Sequence, residues 1–445
     1  MKNCLKDCDQ PCRKKHVNVI YAKNKLNCDH LRGVFLDESH YDTLITEDTD
    51  VYGPSIDGTM NEDNILVMFR KNVFTQEEQD LCYEGLINAA TESQNRGMAA
   101  GPRGEFLHAS GRGGREWVTP YQVEVLEFLT RTANSLLDDD SLEAIKKRHE
   151  GKQVDITRGF VWLRSEVCAH HDPYFGWFDR WVEGLSNKDD ATRREEAQFI
   201  LDNFISETNY AQTVMSGVAG FYSRYPRIPY GRVTSFTEKY PDDFAKSFKF
   251  LKKLNHCFRE LLPRRWSAQR YAADQLDSRF TIDETVFSTL TVNHNFRTAA
   301  HLDAGDFAAG FSNLSALGKG WEGAELILPE YRAAVKLEPG DLLLVANHTA
   351  LHGNAPLGGE NPDRMTIVAY LREDLLDCKS WEYEQLRKQY VEERRANKNH
   401  PYWRKLWNGV SPGMWDEQEW FDYMAKHNME DPYGKATAGS LEDFF

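Results

Sequence analysis

Between Val286 and Leu371 the chain runs as short β-rich segments separated by turns: Phe287–Val292, Ala324–Leu328, Ala333–Leu337, Leu342–Ala346 and Met365–Leu371. Strands this short and this closely spaced bury their faces by packing as a β-sandwich or a jelly-roll barrel. One connection is legible in detail. Glu338-Pro339-Gly340-Asp341 has proline and glycine at its two central positions, as a type II turn requires.

The flanks read as helices. A strand-like run, Ile65–Phe69, leads to Thr75-Gln76-Glu77-Glu78, with Thr75 as N-cap and Glu78 placed for a capping box. Charged helical patterns follow over 121–149, 189–208 and 241–275, and again beyond Asp374. The expected fold is α+β, a double-stranded β-helix (jelly-roll) core flanked by helices N- and C-terminal to it. The divisions expected are a Cys-rich segment at 1–45, a mixed, largely helical region at 46–210, the barrel at 211–375, and a helical tail at 376–445. Trp403, Trp407, Trp415 and Trp420 of that tail are expected to be core or docking anchors.

Composition narrows the function classes. The chain has 445 residues and a net charge of −15, which argues against a polybasic, histone-like binder but permits a local basic patch. No apolar run approaches the ~18 residues of a membrane helix, and charges follow Met1 in place of a secretory signal. Eight cysteines are too few for a disulfide scaffold, so an intracellular protein is expected, cytoplasmic or, in a eukaryote, nuclear. Cys4, Cys8 and Cys12 repeat at C-x3-C-x3-C, with His16, Cys28 and His30 nearby, so a zinc site competes with incidental free thiols there.

The chemistry concentrates in the β-rich block. His301-Leu302-Asp303 places an imidazole and a carboxylate two residues apart, on one face of a strand or its end. His352 follows, with His348 as a rival, and Arg364 precedes the strand Met365–Leu371. Two histidines and a carboxylate leave one face of a metal open, which suits non-haem Fe(II) oxygenases. An arginine on a barrel strand would clamp the far carboxylate of 2-oxoglutarate, while dioxygen takes the remaining position. Two other His-x-Asp pairs exist, His40/Asp42 in an acidic connector and His170/Asp172 ahead of Pro173. Only the third lies in β context with a distal histidine and arginine in order.

Those residues carry a family likeness. The run from Thr291 through Asn293, Asn295, Arg297, His301 and Asp303 to Asp306 resembles the first metal motif of the TET/J-binding-protein (JBP) dioxygenases. Gly310–Leu314 and Glu322–Tyr331 resemble its following strands, His352-Gly353-Asn354 and Arg364 its second half, and Gly220–Tyr230 the JBP branch. The resemblance covers roughly residues 215 to 375. It implies Fe(II) at His301, Asp303 and His352, 2-oxoglutarate at Arg364, dioxygen as cosubstrate, and hydroxylation of the 5-methyl group of 5-methylcytosine or thymine in DNA. Substrate contacts are expected from Asp306, Asn293, Asn295 and Arg297, and from Arg224 and Arg227 upstream. Asp306 stands where the TET branch has asparagine; it is either a base contact or a loop cap. Arg264, Arg265 and Arg270 form a second basic stretch, and a Gly/Arg loop at 97–115 holds Arg103, Arg112 and Arg115. The alternatives are the same iron chemistry on a free nucleotide, amino acid or other small molecule, and a non-enzymatic nucleic-acid binder.

Overall fold

The computed structural model describes residues 12–55, 57–93, 96–101, 107–109, 117–118, 120–131, 144, 147, 182–184, 188–206, 213–224, 230–303, 305–397 and 417–429. Its frame is a ten-stranded sheet. Nine of the strands form one path. In spatial order these are β1 (Asn18–Tyr21), β3 (Thr49–Tyr52), β4 (Ile65–Arg70), β10 (Leu342–Val345), β7 (Ser312–Lys319), β12 (Asp363–Tyr370), β6 (Thr289–His294), β5 (Val214–Tyr222) and the short strand Arg232–Val233. Glu92–Ser93 pairs with β5 off that path. A four-stranded sheet holds β11 (Gly353–Asn354), β8 (Leu326–Leu328), β9 (Ala333–Val335) and β2 (Thr43–Ile45) in that order. Leu326, Leu328 and Val335 of the small sheet pack with Phe69, Leu314, Leu343 and Val345 of the large one. Two sheets sharing one apolar layer are the expected jelly roll.

Strand β12 shows why the site forms where it does. It is antiparallel to β7 on one side and β6 on the other, with Leu314 opposite Val368 and Val292 opposite Ile367. Side chains alternate between faces. Met365, Ile367 and Ala369 enter the helix-covered core, while Arg364, Thr366, Val368 and Tyr370 line a cavity inside the barrel. On β6 the same period sends Leu290 and Val292 outward and Thr291 and Asn293 into the cavity.

The outer face is covered by α1 (Gln76–Leu86), α2 (Phe248–Leu261) and α3 (Pro263–Ala273). Helix α2 buries Phe250, Leu251, Leu254, Cys257 and Phe258, one stripe at helical spacing. The capping box at Thr75 is present: the Glu78 N–H donates to Thr75 Oγ1 at 3.3 Å and the Thr75 N–H to Glu78 Oε2 at 3.0 Å. The type II turn is also present, with Gly340 at φ +85° against Phe74 and Gln79. Helix α4 (Trp381–Ala396) and helix α5 (Glu417–Lys426) pack through Tyr383, Tyr390 and Trp420, so Trp420 is a docking anchor. Trp403, Trp407 and Trp415 lie outside the described residues.

One sequence expectation needs correction. The barrel does not begin at residue 211, because β1–β4 are hydrogen-bonded into its sheets; β4 pairs with β10 and β2 with β9. Strands β5 and β7 also escape the alternation signal. The first is diluted by Gly217 and Gly220, and the second is buried from Ser312 to Leu317 despite Ser312, Asn313 and Ser315. Asn313 Nδ2 donates to the Phe311 carbonyl and Ser315 Oγ to that of Asp341, while Asn313 Oδ1 has no partner. Among the described residues no helix is long and apolar enough to cross a membrane.

Candidate active site

His301, Asp303 and His352 come together with one ligand atom from each lying within 4.8 Å of the others. Among the described residues they form the one cluster of three or more metal-ligating groups. The backbone arranges it. His301 and His352 pair as an isolated antiparallel bridge, and the Asp303 N–H donates to the Asn347 carbonyl at 3.1 Å. The Nδ1–H of His301 donates to the Ala299 carbonyl (2.8 Å) and that of His352 to the Ala350 carbonyl (3.0 Å). Those bonds turn each Nε2 toward Asp303, at 3.4 and 3.7 Å. Asn347 Nδ2 donates to Asp303 Oδ2 at 3.0 Å and orients the carboxylate.

The charges follow from burial. Burial would raise the Asp303 carboxyl, but the His301 hydrogen bond and both imidazoles take it down to about 2. Burial, reinforced by His301, pushes His352 down to about 4, so it is neutral at physiological pH. One carboxylate and two imidazole nitrogens is the donor set of a divalent transition metal.

Arg364 lines the same cavity, whose volume is about 290 Å³. It is 4% exposed, its Nε has no partner, and its nearest acceptor is the Ala324 carbonyl at 3.5 Å. Burial lowers its pKa to about 10. A buried guanidinium left this incomplete fits an anionic ligand, such as the carboxylate of 2-oxoglutarate.

At the other end Asp306 is buried and accepts from Ser312 Oγ. Burial and the neighbouring Asp303 charge raise its carboxyl well above the usual range. Asn293 also lines the cavity and accepts from Ser216 Oγ.

The other expected contacts lie elsewhere. Asn295, at φ +47°, donates to the Pro362 carbonyl and accepts the Arg364 N–H, so it shapes the turn ahead of β12. Arg297 donates to the carbonyls of Leu36 and Asn354 and stacks on Phe35. Arg224 holds the fully buried Glu384 in a two-pronged ion pair. Arg264 pairs with Asp63, Arg265 donates to the Glu62 carbonyl, and Arg270 pairs with Asp274. Arg227, His170–Asp172, Arg103, Arg112 and Arg115 lie outside the described residues, as do Cys4 and Cys8. Cys12 meets the Cys257 thiol in the helix-side core, whereas Cys28 packs with Leu36 and Ala300; the described cysteines are not gathered on one ion.

Among the cavity groups, sequence reasoning missed Tyr370, Arg372 and Arg96. Tyr370 and Arg372 continue the period-two series of Arg364, Thr366 and Val368, a signal that was available. Arg372 stacks on Tyr222 at 4.2 Å and its Nε donates to Ser223 Oγ. Arg96 reaches the cavity from a distant loop with its Nε unpartnered, which no local pattern announces.

A jelly roll that gathers two histidines and an aspartate beside an inward-facing arginine defines the class of 2-oxoglutarate/iron oxygenase folds. Residues 219–373, about a third of the chain, match the oxygenase domain of the 2OGFeDO superfamily, Tet_JBP. The "Thymine dioxygenase JBP1" of Leishmania braziliensis is 33% identical over 176 residues, 38% of this chain and 21% of that protein. The "Bifunctional helicase and thymine dioxygenase JBP2" of the same organism is 36% identical over 179 residues, 39% of this chain and 16% of that protein. The alignment thus spans about a fifth or less of those relatives' length. The solved structure of NgTET1 in complex with 5mC DNA superposes loosely, with a TM-score of 0.37 and 11% identity over 82% of this chain and 86% of that one.

Proposed function

We propose that this chain is an Fe(II)- and 2-oxoglutarate-dependent dioxygenase that hydroxylates the 5-methyl group of a pyrimidine in DNA, with thymine the first base to test. The observation that carries the reading is the pairing, in one cavity, of the His301–Asp303–His352 cluster with the incompletely satisfied guanidinium of Arg364. The domain match and the thymine dioxygenases among the relatives support the base.

His301, Asp303 and His352 would hold the iron, and Arg364 the distal carboxylate of 2-oxoglutarate. Bound there, the metal and cosubstrate with dioxygen supply the oxidising power that turns a methyl C–H into C–OH. The protein's own part is placement. Asp306 and Arg372, beside Tyr222, offer hydrogen-bonding groups for the edge of a base drawn out of the stack, which costs a few kcal/mol of unstacking. The aliphatic and aromatic lining, Val218, Leu314 and Phe296, limits water around the methyl group.

The test is anaerobic reconstitution with Fe(II), then exposure to 2-oxoglutarate, dioxygen and DNA containing thymine and 5-methylcytosine, with digestion to nucleosides and mass analysis. One base gaining an oxygen supports the reading. Succinate without any modified base would move the substrate to a small molecule. The pairing of Arg224 and Arg264 with acidic groups is the observation that favours that second reading.

A further inference from the structure

A second cavity, of about 340 Å³, backs onto the catalytic one, and Asp306 and Asn347 line both. Phe307, Phe311 and Tyr331 give it an aromatic wall among polar and apolar neighbours. Its inner edge is polar and incomplete. Asn347 is 1% exposed, and while its Nδ2 donates to Asp303, its Oδ1 has no partner. The adjacent His348, which also lines this cavity, has a buried Nδ1 without a partner. Leaving a buried polar atom unpaired costs on the order of 1–3 kcal/mol, so two on neighbouring residues at one wall point to a ligand with a hydrogen-bonding edge. The rim mixes Lys25 and Arg265 with Asp63, which disfavours a bare anion or cation.

A flat ring with apolar faces and a polar edge meets both demands. We propose that this cavity holds the nucleobase of the nucleotide next to the target base. The proposal rests on the DNA reading above. Drawing one base out of a duplex removes a stacking partner from its neighbour, and an aromatic pocket replaces it; base–aromatic stacking is worth about 1–3 kcal/mol. The catalytic cavity, at about 290 Å³, has to take a pyrimidine together with a dicarboxylate, so the larger one is ample for a single base. His348 and Asn347 would read the edge of that base, and the enzyme would favour certain neighbours of the target.

The test uses the full chain with Fe(II) and 2-oxoglutarate under anaerobic conditions, and duplexes carrying 5-fluorouracil either at the target position or at one of its two neighbours. Fluorine NMR reads whether the labelled base has left the stack. The expected result is a separate extrahelical resonance at the target and at one neighbour. Ala308 is exposed and lines the second cavity, so Ala308→Trp should block it without disturbing the core. That variant should lower the population of the neighbour's resonance about tenfold and leave the target's in place. His348→Ala should weaken it in the same direction. A neighbour that stays stacked while the target flips overturns this inference and spares the DNA reading, as does an Ala308→Trp variant without effect. No extrahelical resonance at any position overturns both.

Discussion

His301 and His352 donate their backbone N–H groups to each other's carbonyls, at 2.9 and 3.1 Å, although fifty residues of chain separate them. Their rings lie 4.4 Å apart between centroids as a direct result. The ligand cluster is therefore set by main-chain pairing, and side-chain packing only finishes it. Asn347 does the finishing through its bond to Asp303. Asn347→Ala should weaken divalent-metal binding about 10- to 100-fold while the fold persists. Calorimetric titration with Co(II) measures it. An unchanged affinity would mean the backbone alone orients Asp303.

Arg364 is fixed by its place on β12 and by the Asn295 side chain accepting its backbone N–H at 2.8 Å. Truncating the cationic partner of a buried carboxylate costs about 2–5 kcal/mol. Arg364→Ala should raise the 2-oxoglutarate requirement at least about tenfold. Arg364→Lys should restore little of it, because an ammonium lacks the planar two-pronged donor. Equilibrium binding of 2-oxoglutarate in the presence of metal reads this without turnover.

Much of this site was legible in the sequence because its carriers obey local periods. His301 and Asp303 are two apart, and Arg364 opens the alternating series that runs through Val368. What was hidden depends on partners far along the chain. Arg264 and Arg265 look like a basic patch until Glu62 and Asp63 are found against them, two hundred residues upstream. Arg224 looks like a phosphate contact until Glu384 is found beneath it. The strands before residue 71 carry no mark of which sheet they join, since β1 and β2 are short and pair in parallel with β3 and β9.

Acid should loosen the attachment of α4. Asp277 accepts from the side chain of Arg279, from the Arg279 N–H, and from the Trp381 N–H at the start of that helix. The Arg279 guanidinium holds its carboxyl at about 2, below its ordinary value. A carboxyl whose pKa is depressed on folding adds stability that is fully present above its unfolded pKa and is lost as pH falls through the folded one. Asp277→Asn should therefore cost about 1–3 kcal/mol at neutral pH. The difference from the parent should shrink between about pH 4 and pH 2. Urea melts across that range test it; a gap that stays constant with pH would sink the account.

Strand β5 tolerates no side chain at Gly217. A Cβ there would stand 1.8 Å from the Ala89 carbonyl oxygen, which is backbone and has no rotamer to yield. Gly217→Ala should destabilise the protein by at least about 1–3 kcal/mol. The loss should appear in the urea midpoint, and a neutral result would show that the segment around Ala89 can move away.

Arg372 and Tyr222 define the end of the cavity opposite Arg364. The guanidinium lies 4.2 Å from the Tyr222 ring centroid, is braced by Ser223, and passes over Gly305, where a Cβ would come within 3.0 Å of Nη1. Both arginines of one strand series line the cavity, and under the proposed function Arg364 would face the cosubstrate and Arg372 the base. Arg372→Gln keeps a donor but removes the charge and the stack, the latter worth about 0.5–2 kcal/mol. The variant should bind DNA roughly 2- to 30-fold more weakly, the factor that energy implies. Its affinity for 2-oxoglutarate should stay at the parent value. Anaerobic titrations of the two ligands separate the outcomes: a parallel loss of both would mean that Arg372 supports the barrel as a whole, and a loss confined to 2-oxoglutarate would exchange the assignments of the two ends.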